Sequence, residues 1–224
     1  MTHFGITLRA SKYGKELNRE NYAIINNKNS LSKFESLKDA YTDETGRYYT
    51  DTWCRAYREK CLENFDLNMK FFQSLNHDEF EHEIMNFLQT HRQFKEIADL
   101  NEYDGISGYY LMVLDKYCQV YIGTTNDIKR RICQHWAKVK PFDRLLFPMG
   151  AVNTSIISID SFRALDTTRI FIYATHNLYK QEDTFINCFP RQFISNRIGG
   201  GKWEGPLWGL QAAATMKSHE LVTK

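Results

Sequence analysis

The chain has 224 residues, room for one large domain or for a catalytic module of about 100 residues beside a second element of similar size. With 42% hydrophobic and 25% charged residues, the composition is that of an ordinary folded protein and excludes a disordered or fibrous chain. Net charge is only +2 but uneven: residues 1 to 104 carry 14 Lys and Arg against 18 Asp and Glu, and residues 105 to 224 carry 15 against 9, so the second half is the one suited to a polyanion. No apolar run approaches the roughly 18 residues of a membrane span, and the opening MTHFGITLRASKYGKELNRE lacks the apolar stretch of a secretory signal. A cytoplasmic location is expected. The five cysteines (Cys54, Cys61, Cys118, Cys133, Cys188) are scattered and never spaced as CxxC, which points to buried, reduced thiols rather than a disulfide framework or zinc site.

Taken in chain order, the first 50 residues show Asn, Lys, Tyr and Ser clusters without periodicity and are expected to form short elements or an arm wrapping the rest. From Asp51, residues Trp53, Tyr57, Cys61, Phe65, Met69 and Phe72 recur at three- and four-residue steps, the signature of an amphipathic helix. A second helix is expected from Asn76, with Phe80, Ile84, Phe87, Leu88 and His91 on one stripe and Asp78, Glu79 and Glu81 in the first turn, where carboxylates suit the helix dipole. His77, His82 and His91 lack the spacing of a metal site and are read as part of a solvated face.

After the Tyr103-Asp104-Gly105 turn, Gly108 to Leu114 and Gln119 to Ile122 read as a β-hairpin joined at Asp115-Lys116. Thr124, Thr125, Asn126 and Asp127 offer N-caps for a helix from Ile128 to about Lys138, stopped before Pro141. Pro141 to Thr168 is expected to be a helix or loop insertion. Arg169 to Thr175 reads as a third strand, Asn177 to about Phe189 as a helix closed before Pro190, Gly199 to Lys202 as a loop, and Leu207 to Met216 as a short terminal helix. The expected class is α+β: a three-stranded sheet flanked by helices over residues 105–200, preceded by a mostly helical region over 1–104.

Hydrolysis of a phosphodiester needs a positioned, deprotonated water, a metal ion, and a cation for the developing charge. Arg131 and His135, four residues apart, share one face of the expected helix and point a permanent cation and a titratable group the same way. Tyr110 and Tyr121 could project toward them from the paired strands.

Gly108-Tyr109-Tyr110 followed by Tyr121-Ile122-Gly123 and then Asn126-Asp127-Ile128-Lys129-Arg130-Arg131 resembles the GIY-YIG nuclease signature. Tyr110 stands eleven residues before Tyr121, and Arg131 ten after it, close to the spacing of that family. Downstream, Glu182 and Asn196, flanking Phe185-Ile186 and Pro190, match its metal-binding glutamate and its asparagine. The resemblance covers residues 105–200, and His135 matches the branch that includes restriction and homing enzymes. Two departures stand out. The first tripeptide is GYY, an aromatic swap at a position expected only to pack, and Thr124 stands where the excision-repair branch has lysine.

The resemblance implies a DNA endonuclease of restriction, homing or mobile-element type. Glu182 would hold a single Mg²⁺ (or Mn²⁺), a hard ion suited by one carboxylate plus waters and a phosphate oxygen. Tyr110 would deprotonate or orient the attacking water, His135 and Tyr121 would tune its proton, and Arg131 would bind the scissile phosphate. Asn196 would orient a phosphate or support Tyr110. Double-stranded DNA would be contacted through Lys129, Arg130, Lys138, Lys140, Arg191, Arg197 and Lys202. One active site per chain makes double-strand cutting a matter of a homodimer or of two sequential nicks. A structure-selective repair nuclease and a catalytically inactive DNA-binding module are the alternatives.

Overall fold

The computed structural model describes residues 1–25, 49–147 and 150–196. The expected Gly199 to Lys202 loop and Leu207 to Met216 helix, and the basic residues Arg197 and Lys202, lie outside the described residues.

Strands β4 (Gly108–Leu114) and β5 (Gln119–Thr125) form the expected antiparallel hairpin, with Tyr110 opposite Gly123 and Met112 opposite Tyr121. The chain reverses through a tight 3-10 turn at Asp115–Tyr117, closed by Cys118 in the left-handed region at φ 48. β6 (Arg169–Ala174) pairs antiparallel with the other side of β4, placing Ile172 opposite Tyr110. At Gly108 the two strands come so close that a Cβ would run into the Tyr173 carbonyl. Every residue of β4 is buried, which explains why this antiparallel strand reads as an unbroken apolar run instead of alternating.

A fourth strand, β3 (Lys95–Glu96), covers the free edge of β6 and gives the order β3-β6-β4-β5. Three strands were expected. The two residues of β3 are exposed and charged, so no hydrophobic period marks them. A smaller hairpin, β1 (Thr2–His3) with β2 (Ile6–Thr7), and a one-turn helix α1 (Arg19–Tyr22) make up the described part of the N-terminal arm. The arm is held down by Leu100 N–H donating to the Phe4 carbonyl (3.0 Å) and by Leu17 N–H donating to Asp166 (2.9 Å).

Strand alternation sorts the core into two layers. Tyr109, Leu111, Val113, Val120 and Ile122 face α3 (His77–Thr90) and α5 (Glu182–Ile186) through Phe80, Ile84, Phe87, Phe185 and Ile186. Tyr110, Met112 and Leu114 face the opposite way, into a core with α2 (Asp51–Ser74) and α4 (Ile128–Ala137) that includes Cys61, Phe65, Phe72, Ile128, Ile132 and Trp136. Thr50 caps α2 by accepting the Trp53 N–H, Asn76 caps α3 through Asp78 and Glu79 N–H, and Asp127 caps α4 through Arg130 N–H. The class is α+β. Because α2 shares one continuous core with the sheet, that core crosses the expected division near residue 104.

Three expectations are corrected. Residues 177 to 189 contain only the five-residue α5, because Tyr179 adopts a left-handed conformation (φ 65) that interrupts the first turns. Tyr109 does more than pack: its hydroxyl donates to the Asn177 carbonyl (2.9 Å) and accepts the Gln181 N–H (3.2 Å), pinning the loop that leads into Glu182. Of the cysteines, Cys54, Cys61 and Cys118 are buried, but Cys133 is half-buried and Cys188 exposed.

The described part of the insertion is a chain of short 3-10 turns with no α-helix. Helix α2 holds it from one side. Asn64 Nδ2 donates to the carbonyls of Val152 and Ser155, both at 2.6 Å, and Asn68 donates to Ser155 O (3.0 Å) while accepting the Ile157 N–H. Tyr57 adds a bond to the Asp143 carbonyl and accepts the Leu146 N–H. Two asparagines in the buried stripe of a helix are thereby accounted for: each satisfies backbone groups of a segment that has few of its own partners.

Candidate active site

Tyr110 leaves the central strand toward α4 and passes over Gly123, its cross-strand partner. A Cβ at Gly123 would overlap the Tyr110 phenol, so the glycine of the second tripeptide makes room for the tyrosine of the first. The ring is buried, 1% exposed, and its hydroxyl lies 2.9 Å from His135 Nε2. Tyr121, two positions before Gly123 on the same face of β5, sets its ring edge-on to the imidazole with centroids 5.1 Å apart.

His135 is itself buried, and its Nδ1 lies 2.8 Å from Asp160 Oδ1. Asp160 sits on the 3-10 turn Ile159–Ser161 of the insertion, and its other oxygen meets Lys138 Nζ at 3.1 Å. Burial works to raise the Asp160 pKa, but the His135 hydrogen bond and the Lys138 charge outweigh it and hold the group below the ordinary carboxylate range. Asp160 is therefore an ionised acceptor, and Nδ1 must carry the proton. Burial lowers the His135 pKa against the opposing pull of Asp160, so at neutral pH the ring is uncharged and Nε2 offers a lone pair to the Tyr110 hydroxyl. Burial also drives the Tyr110 pKa well above its ordinary value, further raised by Tyr121 and opposed by Arg131. The phenol is protonated and donates to the imidazole.

Arg131, one turn before His135 on α4, is half-buried and close enough to both phenols to act on each. Burial pushes Tyr121 up to about 12, with Arg131 opposing. Glu182, the first residue of α5, comes in from the far side of the sheet; its charge is felt at Tyr110 and Tyr121, and it feels Arg131. Burial and the neighbouring Asp183 push its carboxyl up to about 7, Arg131 opposing. A half-buried carboxylate destabilised in this way favours an approaching cation. Among the described residues no group of three or more His, Cys, Asp or Glu is arranged to hold a metal. A cation at Glu182 would thus take most of its shell from water and phosphate oxygens, which fits Mg²⁺ or Mn²⁺ better than a softer ion.

Asn196 has a different task from either expected for it. Its Oδ1 accepts the Ile122 N–H (3.0 Å) and its Nδ2 donates to the Ile122 carbonyl (2.6 Å), while Ser195 N–H donates to the Val120 carbonyl (2.8 Å). The amide imitates a strand backbone and closes the outer edge of β5 beside Tyr121. Its role is to hold the tripeptide, and Tyr110 gets its support from His135 instead.

The expected DNA-contacting residues divide. Lys129 is paired with Asp104 (2.8 Å), Arg130 with Asp127 (3.6 Å) and Lys138 with Asp160, so three of the cations are already partnered by carboxylates on the protein. Arg130 and Lys138 nonetheless remain exposed, as does Arg191, and Lys140 is half-buried. Beside the end of β6, His176 Nδ1 lies 3.0 Å from Ser107 Oγ.

Compared with known proteins, the chain matches no family model, no curated protein and no solved structure. No described helix is long and apolar enough to cross a membrane. The residues brought together are Tyr110, Tyr121, Arg131, His135 and Glu182; Asn196 sits behind them. Asp160 and Tyr109 are the site-building residues missed by sequence reasoning. Asp160 lies in an aperiodic loop 25 residues beyond His135, with no local signal. Tyr109 did carry one, as a hydroxyl-bearing residue where an aliphatic one was expected.

Proposed function

We propose that this chain is a metal-dependent DNA endonuclease of the GIY-YIG type. The observation that carries the reading is convergence: residues drawn from two strands and two helices, and separated by up to 72 positions, assemble a phenol–imidazole pair, a guanidinium and an electrostatically coupled carboxylate at one place. Each has a part in phosphodiester hydrolysis. Arg131 binds the scissile phosphate, Glu182 holds a divalent cation, and the Tyr110–His135 pair orients the attacking water and takes its proton. Tyr121 borders the imidazole and couples to both Arg131 and Glu182. When bound, the cation supplies charge neutralisation on the phosphate and the leaving oxygen.

The substrate in this reading is double-stranded DNA, cut as a nick by each chain, with a homodimer or two successive nicks giving a double-strand break. In this reading the exposed Arg130, Lys138 and Arg191 and the half-buried Lys140 contact the phosphates, and such contacts would make binding strongly salt-dependent.

The test is plasmid nicking and linearisation with Mg²⁺ or Mn²⁺, comparing wild type with Glu182→Ala and Arg131→Ala. Cutting by wild type, with losses of at least about 100-fold in each variant, is the expected outcome. Undiminished cutting by either variant would remove the assignment, and binding without cutting by wild type would leave a DNA-binding module.

A further inference from the structure

We propose that Asp160 is a positioning residue that completes a Tyr110–His135–Asp160 proton relay, fixing His135 as the Nδ1–H tautomer so that Nε2 can take the Tyr110 hydroxyl proton. The inference rests on the nuclease reading for its substrate, but its geometry stands independently. Three side chains from three elements are joined by two short contacts, Tyr110 to His135 at 2.9 Å and His135 to Asp160 at 2.8 Å. All three are at most 9% exposed as residues. Burying a carboxylate on a loop is costly unless it is paired, and here each oxygen has a cationic or N–H partner aimed at it.

The pairing has a chemical consequence. A buried phenol that holds its proton tightly is a poor base by itself; it becomes useful only if its own proton can leave as it receives another. With Nδ1–H committed to the carboxylate, the Nε2 lone pair is directed at the phenol and cannot tautomerise away without breaking the Asp160 bond. In the reaction, the water oxygen forms a bond to phosphorus while its proton passes to the Tyr110 oxygen. The Tyr110 hydroxyl proton moves to His135 Nε2, and the resulting imidazolium is stabilised by Asp160. The phosphorus–oxygen bond opposite the water breaks, the leaving oxygen takes a proton from solvent, and His135 returns its extra proton to solvent. No redox partner is needed.

The groups facing the imidazole from each surrounding element are Tyr110 on β4, Tyr121 on β5, Arg131 on α4 with Lys138 just past its end, and Asp160 on the insertion; Glu182 acts on the two phenols from α5. Only Asp160 is both ionised negative and bonded to the ring. The delivery of this carboxylate also gives the insertion a purpose. Asn64, Asn68 and Tyr57 on α2 hold Asp143, Leu146, Val152, Ser155 and Ile157, ahead of the turn carrying Asp160, and Arg163 Nη1 ties the far side of that turn to the Lys138 carbonyl (2.9 Å).

Asp160→Asn tests the relay because an amide can donate to Nδ1 and favour the opposite tautomer, as in the serine-protease triad. Nitrogen-labelled histidine NMR of the full chain should show Nδ1–H at His135 in wild type and Nε2–H in Asp160→Asn, with Asp160→Glu restoring the first pattern. In plasmid cleavage kcat should fall about 100-fold or more with KM little changed, the acid limb of the rate profile should move to lower pH, and adding His135→Ala should cost nothing further. An unchanged tautomer, or an unchanged kcat in a folded Asp160→Asn protein, overturns the relay. If wild type cuts no DNA, the nuclease reading fails, while the NMR comparison still decides the tautomer-fixing role.

Discussion

Tyr110 and Gly123 face each other across β4 and β5, and the side chain of the one occupies the space the other leaves empty. Gly123→Ala is expected to force the Tyr110 ring off His135, because the enclosed phenol has no open side into which to turn. Overpacking of this kind costs about 1–3 kcal/mol. The measurement is a denaturant midpoint together with plasmid cleavage: cleavage should fall far more than the stability change explains, and a fully active Gly123→Ala protein would contradict the packing described.

Tyr109 should act on Glu182 through the loop it pins. Tyr109→Phe keeps the ring among Phe185, Tyr173 and Phe94 but removes bonds to Asn177 and Gln181. We expect about 1 kcal/mol of stability lost per bond, and a roughly tenfold higher Mg²⁺ concentration for half-maximal cleavage, in the manner of outer-shell metal supports. Metal titrations of the two proteins would check it.

Asn196→Ala should behave as a structural lesion. It strips both backbone groups of Ile122 of their partners at the edge of β5, each loss costing about 1–3 kcal/mol where water cannot replace the amide. Thermal unfolding should show the loss, and DNA affinity measured below the melting transition should be little changed. A selective loss of DNA affinity without destabilisation would return Asn196 to phosphate binding.

Stability should decline in acid because of His135 and Asp160. Both fold with lowered pKa values, so the unfolded chain binds the proton first. Their contribution is complete above the ordinary histidine value of about 6.5 and falls as pH drops below it, with the Asp160 part lost only below about 3.9. Glu182 works in the opposite sense, since its pKa is raised. Urea midpoints at pH 7.5 and 5.5 in a Glu182→Gln background remove that opposing contribution, and comparing them with and without His135 separates its part from that of His91, whose pKa burial also lowers. The midpoint should drop on acidification, and replacing His135 by Gln should flatten that drop.

How much of this was legible in the sequence can be judged from individual residues. The three- and four-residue steps of Trp53, Tyr57, Cys61, Phe65, Met69 and Phe72, and the cap-then-stripe pattern of α3 and α4, are local and periodic, and these helices fall where expected. Tyr110, Tyr121, Arg131 and His135 were readable because a hairpin and the helix after it bring near neighbours together. Asn64 and Asn68, by contrast, look like ordinary polar interruptions of a helix until the carbonyls they serve, nearly 90 residues later, are in view.

The order of residues settles what depends on periodicity and capping within one hairpin or one helix: the hairpin, the capped helices, and the face shared by Arg131 and His135. Tertiary structure alone decided that β4 lies at the centre of four strands, that Asn196 serves Ile122, that Tyr109 holds the approach to Glu182, and that a loop carboxylate reaches His135. The physical reason is that periodicity and capping are properties of the local chain, whereas the partner of a buried polar group is set by which segments are packed against it, and packing joins residues without regard to their separation in sequence.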